Sequence, residues 1–260
     1  MITLHNVSKR YDRVNAVTGI DWNVSAGQWW GVIGPNGSGK STLLHLVSGV
    51  EKPSSGQLQF RGKAISSYGR KELARSIAVL QQDGLAPTDF TVREVLEMGR
   101  YPFQDWLGRE KKDFGPFLDD IVHKLELKDF ESRRLDQLSG GQRQRAALGK
   151  VMAQEPELLL LDEPTTYLDI HYQLQFMNLV AKWRQDTGIT VVSVLHDLNL
   201  AAQFCDRLLV LQDGKIAGEG APADILTEDF IREVFRVNPS VVSHPENGAP
   251  QVLLTANAPS

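Results

Sequence analysis

With 260 residues, of which 42% are hydrophobic and 23% charged, the chain can bury one large domain or a domain carrying an inserted lobe. A formal net charge of −4 supplies no basic field of the kind that nonspecific nucleic-acid binding rests on, so no nucleic-acid partner is expected. The one cysteine, Cys205, excludes an internal disulfide and the six histidines lack metal-ligand spacing, which together fit a reducing, cytoplasmic setting.

The opening MITLHNVSKRYD alternates polar and apolar residues like a strand and lacks the basic start and apolar core of a secretory signal, so no cleaved leader is expected. Strand patterns run at Ile2–Leu4 and from Ala16 to Val24. Tyr11 falls in the loop after the first and is a candidate to stack on adenine, although an ordinary surface tyrosine reads the same way. The apolar run GQWWGVIG predicts a strand feeding GPNGSGKST, a complete G-x-x-x-x-G-K-[ST] phosphate loop of Gly34, Pro35, Asn36, Gly37, Ser38, Gly39, Lys40, Ser41 and Thr42. Its glycines let backbone N–H groups close around phosphates at a positive helix end. Lys40 reaches the terminal phosphates, and the Ser41 hydroxyl is a ligand for Mg²⁺. The helical spacing of STLLHLVSGV follows, and then GQLQFRGKAI, a short hairpin.

From Thr91 to about Ala153 the pattern turns helical, which predicts an inserted lobe. Between core and lobe, Leu85, Phe90, Tyr101, Phe103 and Trp106 are candidates for an apolar anchor surface, with ordinary packing of the lobe as the alternative. LLLLDEP predicts a buried strand with Asp162 at its carboxyl end, where a parallel sheet presents ligands. Asp162 is the candidate to hold Mg²⁺ through water, and Glu163 to polarise the water that attacks the terminal phosphoryl group. A solvated acidic turn before a proline is the competing reading. After a helix from His171 to about Gln185, the strand ITVVSVL delivers His196 to a neighbouring strand end, near the terminal phosphate. RLLVLQDGKIAGEG reads as a hairpin around Asp213-Gly214, and the tail beyond Arg236 as a small hairpin around Asn247-Gly248. No apolar stretch approaches the roughly 20 residues that span a bilayer.

Taken in order, GPNGSGKST, LSGGQ, LLLLDEP, TTYLD and VLHD resemble the ATP-binding subunit of ABC transporters over nearly the whole chain. The resemblance implies an α/β P-loop NTPase core with a mainly parallel sheet, an antiparallel β subdomain and an inserted helical subdomain. Its ATPase domain would span residues 1–236, with the helical part about 91–153 and a C-terminal extension at 237–260. It implies a homodimer with ATP and Mg²⁺ at the interface, in which Ser139, Gly140, Gly141 and Gln142 complete the partner's site. Asp169 matches the element at the dimer seam, where Tyr167 departs from the small residue usual in the family. Gln82 matches the glutamine loop, near Mg²⁺ and the transmembrane partner, with adjacent Gln81 as the alternative register. Further likeness in TVREVLEMGRYPF, VLHDLNLAAQFCDR and HPENGAPQVL points to importers of ferric siderophores, haem and cobalamin. The implied setting is the cytoplasmic face of the membrane, peripheral, on an integral permease served by a substrate-binding protein. Another importer branch, an exporter, or a soluble relative in DNA repair or translation are the alternatives. One phosphate loop and no sustained heptads count against the last.

Overall fold

A computed structural model describes residues 1–82, 84–105, 107, 109–110, 113–166 and 168–255. In chain order the elements are β1 (Ile2–Tyr11), β2 (Val14–Val24), β3 (Trp29–Ile33), α1 (Lys40–Val47), β4 (Ser55–Phe60), β5 (Lys63–Ala64), α2 (Arg70–Ser76) and β6 (Ile77–Leu80). There follow α3 (Val92–Met98), α4 (Gly115–Lys124), α5 (Gly140–Ala153), β7 (Leu158–Asp162) and α6 (Ile170–Thr187). The chain ends with β8 (Thr190–Val194), α7 (Leu198–Phe204), β9 (Arg207–Gln212), β10 (Lys215–Gly220), α8 (Pro222–Ile225), α9 (Glu228–Phe235), β11 (Pro239–Ser243) and β12 (Pro250–Leu254). These elements fall into two units, one of Met1–Ser67 with Thr190–Ser260 and one of Tyr68–Ile189.

In the first unit, β2, β1, β4 and β5 pair antiparallel in that order, while β9, β3 and β8 run parallel with β10 antiparallel on the outer side of β9. Every residue of β3 and β8 is buried. A strand covered on both faces shows no polar alternation, hence the unbroken WWGVI. The polar Ser193 is tolerated inside β8 because its hydroxyl accepts the Trp29 indole N–H at 2.9 Å. Pairing of Val32 with Val194 brings the carboxyl ends of β3 and β8 side by side, so the phosphate loop and His196 leave the sheet at the same end. Cys205 is buried, with its Sγ 3.9 Å from Ser193 Oγ. The sequence expectation for Tyr11 needs correction: it is the last residue of β1, paired with Val14, not a loop residue. Register shifts along β1 let the pairing continue to a tip at Asp12 and Arg13, which no polar-apolar alternation announces. β11 and β12 pair antiparallel, and the Asn199 side chain on α7 bonds both the N–H and the carbonyl of Val252, at 2.7 and 3.3 Å.

In the second unit β6 and β7 are parallel, with Leu158 to Leu161 fully buried; each such leucine is worth about 1.5–3 kcal/mol. α3 begins in a capping box: the Thr91 hydroxyl accepts from Glu94 N–H, and the Glu94 carboxylate accepts from Thr91 N–H at 2.7 Å. The Thr91 backbone and then side-chain hydrogen bonds hold the Glu94 carboxyl below its ordinary value. Arg100 is the buried pin of the lobe. Its guanidinium lies between the rings of Phe103 and Phe114, 4.0 and 3.8 Å from their centroids, and pairs with Glu110 and Glu155 at 2.7 and 2.6 Å. Phe103 of the expected anchor surface is therefore half-buried under Arg100, whereas Phe90 and Tyr101 are 49% and 72% exposed. Trp106 lies outside the described residues.

Candidate nucleotide site

The phosphate loop leaves β3 and turns into α1 through three left-handed glycines, Gly34 at φ 147°, Gly37 at 79° and Gly39 at 100°. At Gly39 the need for glycine is twofold. The φ disfavours any L side chain, and a Cβ there would run into the Ala16 carbonyl oxygen and lie 2.8 Å from Val17 Cγ1. Lys40, 6% exposed, curls back so that its ammonium donates to the carbonyls of Gly34 and Pro35 at 2.9 and 3.0 Å. The N-cap of α1 makes no side-chain hydrogen bond and no acidic residue sits in its first turn, so the helix supplies no anion of its own to its positive end. Ser38 Oγ is buried without a hydrogen-bond partner among the described residues. A cradle with an uncapped helix start, a buried cation and an unsatisfied hydroxyl fits a phosphate chain.

Around this loop in the same unit, Ser41 is exposed and Thr42 half-buried. Tyr11 is 40% exposed, with the Lys9 ammonium 4.9 Å from its ring centroid. Lys9 in turn pairs with Glu51 at 2.5 Å, and that hydrogen bond is the main reason the Glu51 carboxyl sits below its ordinary value. His196 is exposed two residues past β8, just before Asp197, whose carboxylate caps α7 by accepting from the N–H groups of Asn199 and Leu200.

In the second unit, β7 ends at Asp162, and Glu163 follows with φ 47°, an uncommon conformation for a non-glycine residue. Such backbone costs about 1–3 kcal/mol and persists only where its surroundings over-determine it. Here the Gln82 amide donates to Glu163 Oε2 at 2.8 Å, the Thr166 hydroxyl reaches the same oxygen at 3.3 Å, and Thr166 N–H closes the turn on the Glu163 carbonyl at 3.3 Å. Of the adjacent glutamines, it is Gln82 whose side chain meets the acid turn.

The LSGGQ segment is the start of α5. Ser139 is its N-cap, its hydroxyl accepting from Gln142 N–H at 3.3 Å while Gln142 Oε1 accepts from Ser139 N–H at 2.9 Å. Ser139 and Gly140 are exposed, and a Cβ on Gly140 would meet open space. Gly141 differs: a Cβ there would lie 2.7 Å from the Tyr172 ring of α6. Asp169 is the N-cap of α6, accepting from Tyr172 N–H at 3.0 Å, and so orients the residue that packs on Gly141. Tyr167 lies outside the described residues.

Sequence reasoning did not find Thr166 or Tyr172. Tyr172 matters through tertiary packing that no local pattern encodes, while Thr166 had a signal in its place three residues after the acid.

A model of the family described as ABC transporter matches residues 17–166. The hemin import ATP-binding protein HmuV of Bradyrhizobium diazoefficiens is 39% identical over 97% of this chain and 94% of its own length. The ferric enterobactin transport ATP-binding protein FepC of Escherichia coli is 37% identical over 96% of this chain and 93% of its own. Among solved structures, the dimeric post-hydrolysis state of the ATP-binding cassette MJ0796 bound to ADP and Pi superposes with a TM-score of 0.73 at 30% identity, over 85% of this chain and 99% of that one. A phosphate cradle at the end of a buried parallel strand, an acid turn after another, and likeness of this extent have one reading: the chain belongs to the ABC transporter family, among its ATP-binding proteins.

Proposed function

We propose that the chain hydrolyses ATP as one half of a homodimer seated on the cytoplasmic face of an integral membrane permease, and drives uptake of an iron-siderophore, haem or cobalamin-type substrate delivered by a binding protein. The observation that carries the hydrolytic part is the Glu163 carboxylate, held by Gln82 at 2.8 Å on left-handed backbone. In this reading the loop from Gly34 to Thr42 wraps the phosphates with backbone N–H groups, Lys40 exchanges its carbonyl partners for phosphate oxygens, and Tyr11 stacks on adenine. Ser41, Asp162 and Gln82 offer hydroxyl, carboxylate and amide oxygens, a hard-donor set suited to Mg²⁺, which when bound neutralises charge on the terminal phosphates. Glu163 orients the attacking water, and His196 hydrogen-bonds the terminal phosphate.

Ser139, Gly140, Gly141 and Gln142 serve the site of the second copy, since an exposed helix start presents donors to an anion outside its own chain. Asp169 sits at the same seam. Attachment to the membrane runs through the permease, because among the described residues no helix is long and apolar enough to cross a bilayer. The import reading is supported by relatives named for hemin and ferric enterobactin. Its test is reconstitution of the chain with its permease and binding protein in ATP-loaded vesicles. ATP-dependent accumulation of haem, a ferric siderophore or cobalamin supports it, and ATP-dependent efflux with no accumulation overturns it.

A further inference from the structure

The side chain of Gln144 plays no part in the site described so far, yet it is 9% exposed and polar. Its amide nitrogen donates to the Pro164 carbonyl at 2.9 Å, in the buried interior of its unit. Pro164 directly follows Glu163, so this bond holds the acid turn at its backbone while Gln82 holds the Glu163 side chain. The amide oxygen faces Gly84, where a Cβ would lie 2.8 Å from it, and Gly84 holds a left-handed φ of 57°. One side chain thus touches three segments: it stands one turn into α5, bonds the acid turn, and packs on the loop carrying Gln82. The three also line one cavity of about 270 Å³, bordered by Gln82, Gly140, Gln144, Pro164 and Thr166.

We infer that Gln144 is a positioning residue for Glu163, tying the orientation of that carboxylate to the start of α5. The inference rests on Glu163 being the group that orients water. A buried carbonyl that loses its donor must find another or move, and here movement is passed to a residue already on strained backbone. Displacements of about 1 Å at a reacting group cost on the order of a hundredfold in rate. A looser turn that keeps Gln82 and Thr166 is expected to cost roughly tenfold. Nucleotide affinity is set elsewhere and stays.

The test uses the full chain with Mg²⁺-ATP and three variants. Gln144→Met keeps length and burial but removes the donor. Gln144→Glu keeps shape and regains the donor only when its carboxyl is protonated, which burial favours. The charged neighbours, Glu163 across Pro164 and Arg143 on the same cavity, are common to both. Gln144→Met should lose roughly tenfold in kcat with fluorescent-nucleotide affinity unchanged. The ratio of the Gln144→Glu rate to the Gln144→Met rate should climb several-fold from about pH 8 to about pH 6. If Gln144→Met does not fold, the same climb is read against the wild type. Wild-type turnover in Gln144→Met, or a ratio flat with pH, overturns the inference. Glu163→Gln run in parallel separates the two layers: wild-type turnover there removes the underlying reading of Glu163, while a dead Glu163→Gln beside unaffected Gln144 variants removes only the role given to Gln144.

Discussion

Gly39→Ala is the substitution whose cost the geometry sets most directly. At φ 100° an L residue stores about 1–3 kcal/mol of backbone strain, so the variant starts destabilised before any contact is counted. The added methyl would also meet the Ala16 carbonyl oxygen and stand 2.8 Å from Val17 Cγ1, inside ordinary van der Waals contact. Ala16 and Val17 belong to β2, whose pairing with β1 resists retreat, so the loop and the first residue of α1 must give way. Strain and clash together are worth roughly 2–4 kcal/mol, or a fall in Tm of roughly 5–15 °C for a chain of this size. A displaced loop no longer aims its N–H groups at phosphate, and losing two such charge-assisted hydrogen bonds, at about 1.5 kcal/mol each, should drop ATP affinity on the order of a hundredfold. Gly37→Ala is the matched comparison: φ 79° brings similar strain, but its Cβ meets nothing within 4 Å, so its Tm should fall by about half as much. Differential scanning calorimetry and titration with a fluorescent ATP analogue read both quantities. Wild-type Tm and affinity in Gly39→Ala, or equal destabilisation of the two variants, would mean that contact with Ala16 and Val17 does not confine the loop.

Lys40→Ala should abolish measurable ATP binding by calorimetry, since it removes the buried ammonium that now donates to the Gly34 and Pro35 carbonyls of the loop. Thr91→Ala removes the hydroxyl that caps α3 and should cost about 1 kcal/mol, a Tm loss of about 2–4 °C, with ATP turnover unchanged. Because the folded-state pKa of Glu94 is lowered, its contribution is present above the ordinary value of 4.5 and lost as pH falls through the folded value; Glu94→Gln should flatten thermal stability over that acid range. Phe90→Ser with Tyr101→Ser should leave basal ATP hydrolysis intact and abolish recovery of the chain on its permease, measured by affinity pull-down from detergent.

The elements most legible in the sequence are those whose environment leaves no local choice. WWGVI, LLLL and TVVSV read as buried strands because sheets covered on both faces demand unbroken apolar runs, and the motif glycines mark where such a strand ends. The Asp213-Gly214 hairpin was readable for a similar reason, since its turn chemistry is local. Tyr11 was misread because pairing between strands, not alternation within one, carries β1 to its tip. The short α2 and β6 gave no period long enough to register. Within the site, residue types were readable from spacing, but the left-handed Glu163, its bond to Gln82 and the grip of Gln144 on Pro164 are tertiary facts. Arg100 belongs with them, since nothing in the sequence announces that a lone arginine draws Phe103, Phe114, Glu110 and Glu155 around one guanidinium.

The claim on which everything else depends is that Glu163 orients water for an ATP held between two copies of the chain. Glu163→Gln keeps the shape of the side chain and loses the carboxylate. The measurement is size-exclusion chromatography of this variant with Mg²⁺-ATP, with phosphate release followed on the same sample. The expected result is bound ATP, turnover reduced by at least about a hundredfold, and elution as a stable dimer that reverts to monomer when nucleotide is removed. Wild-type phosphate release from Glu163→Gln, or an ATP-loaded variant that remains strictly monomeric, would contradict it.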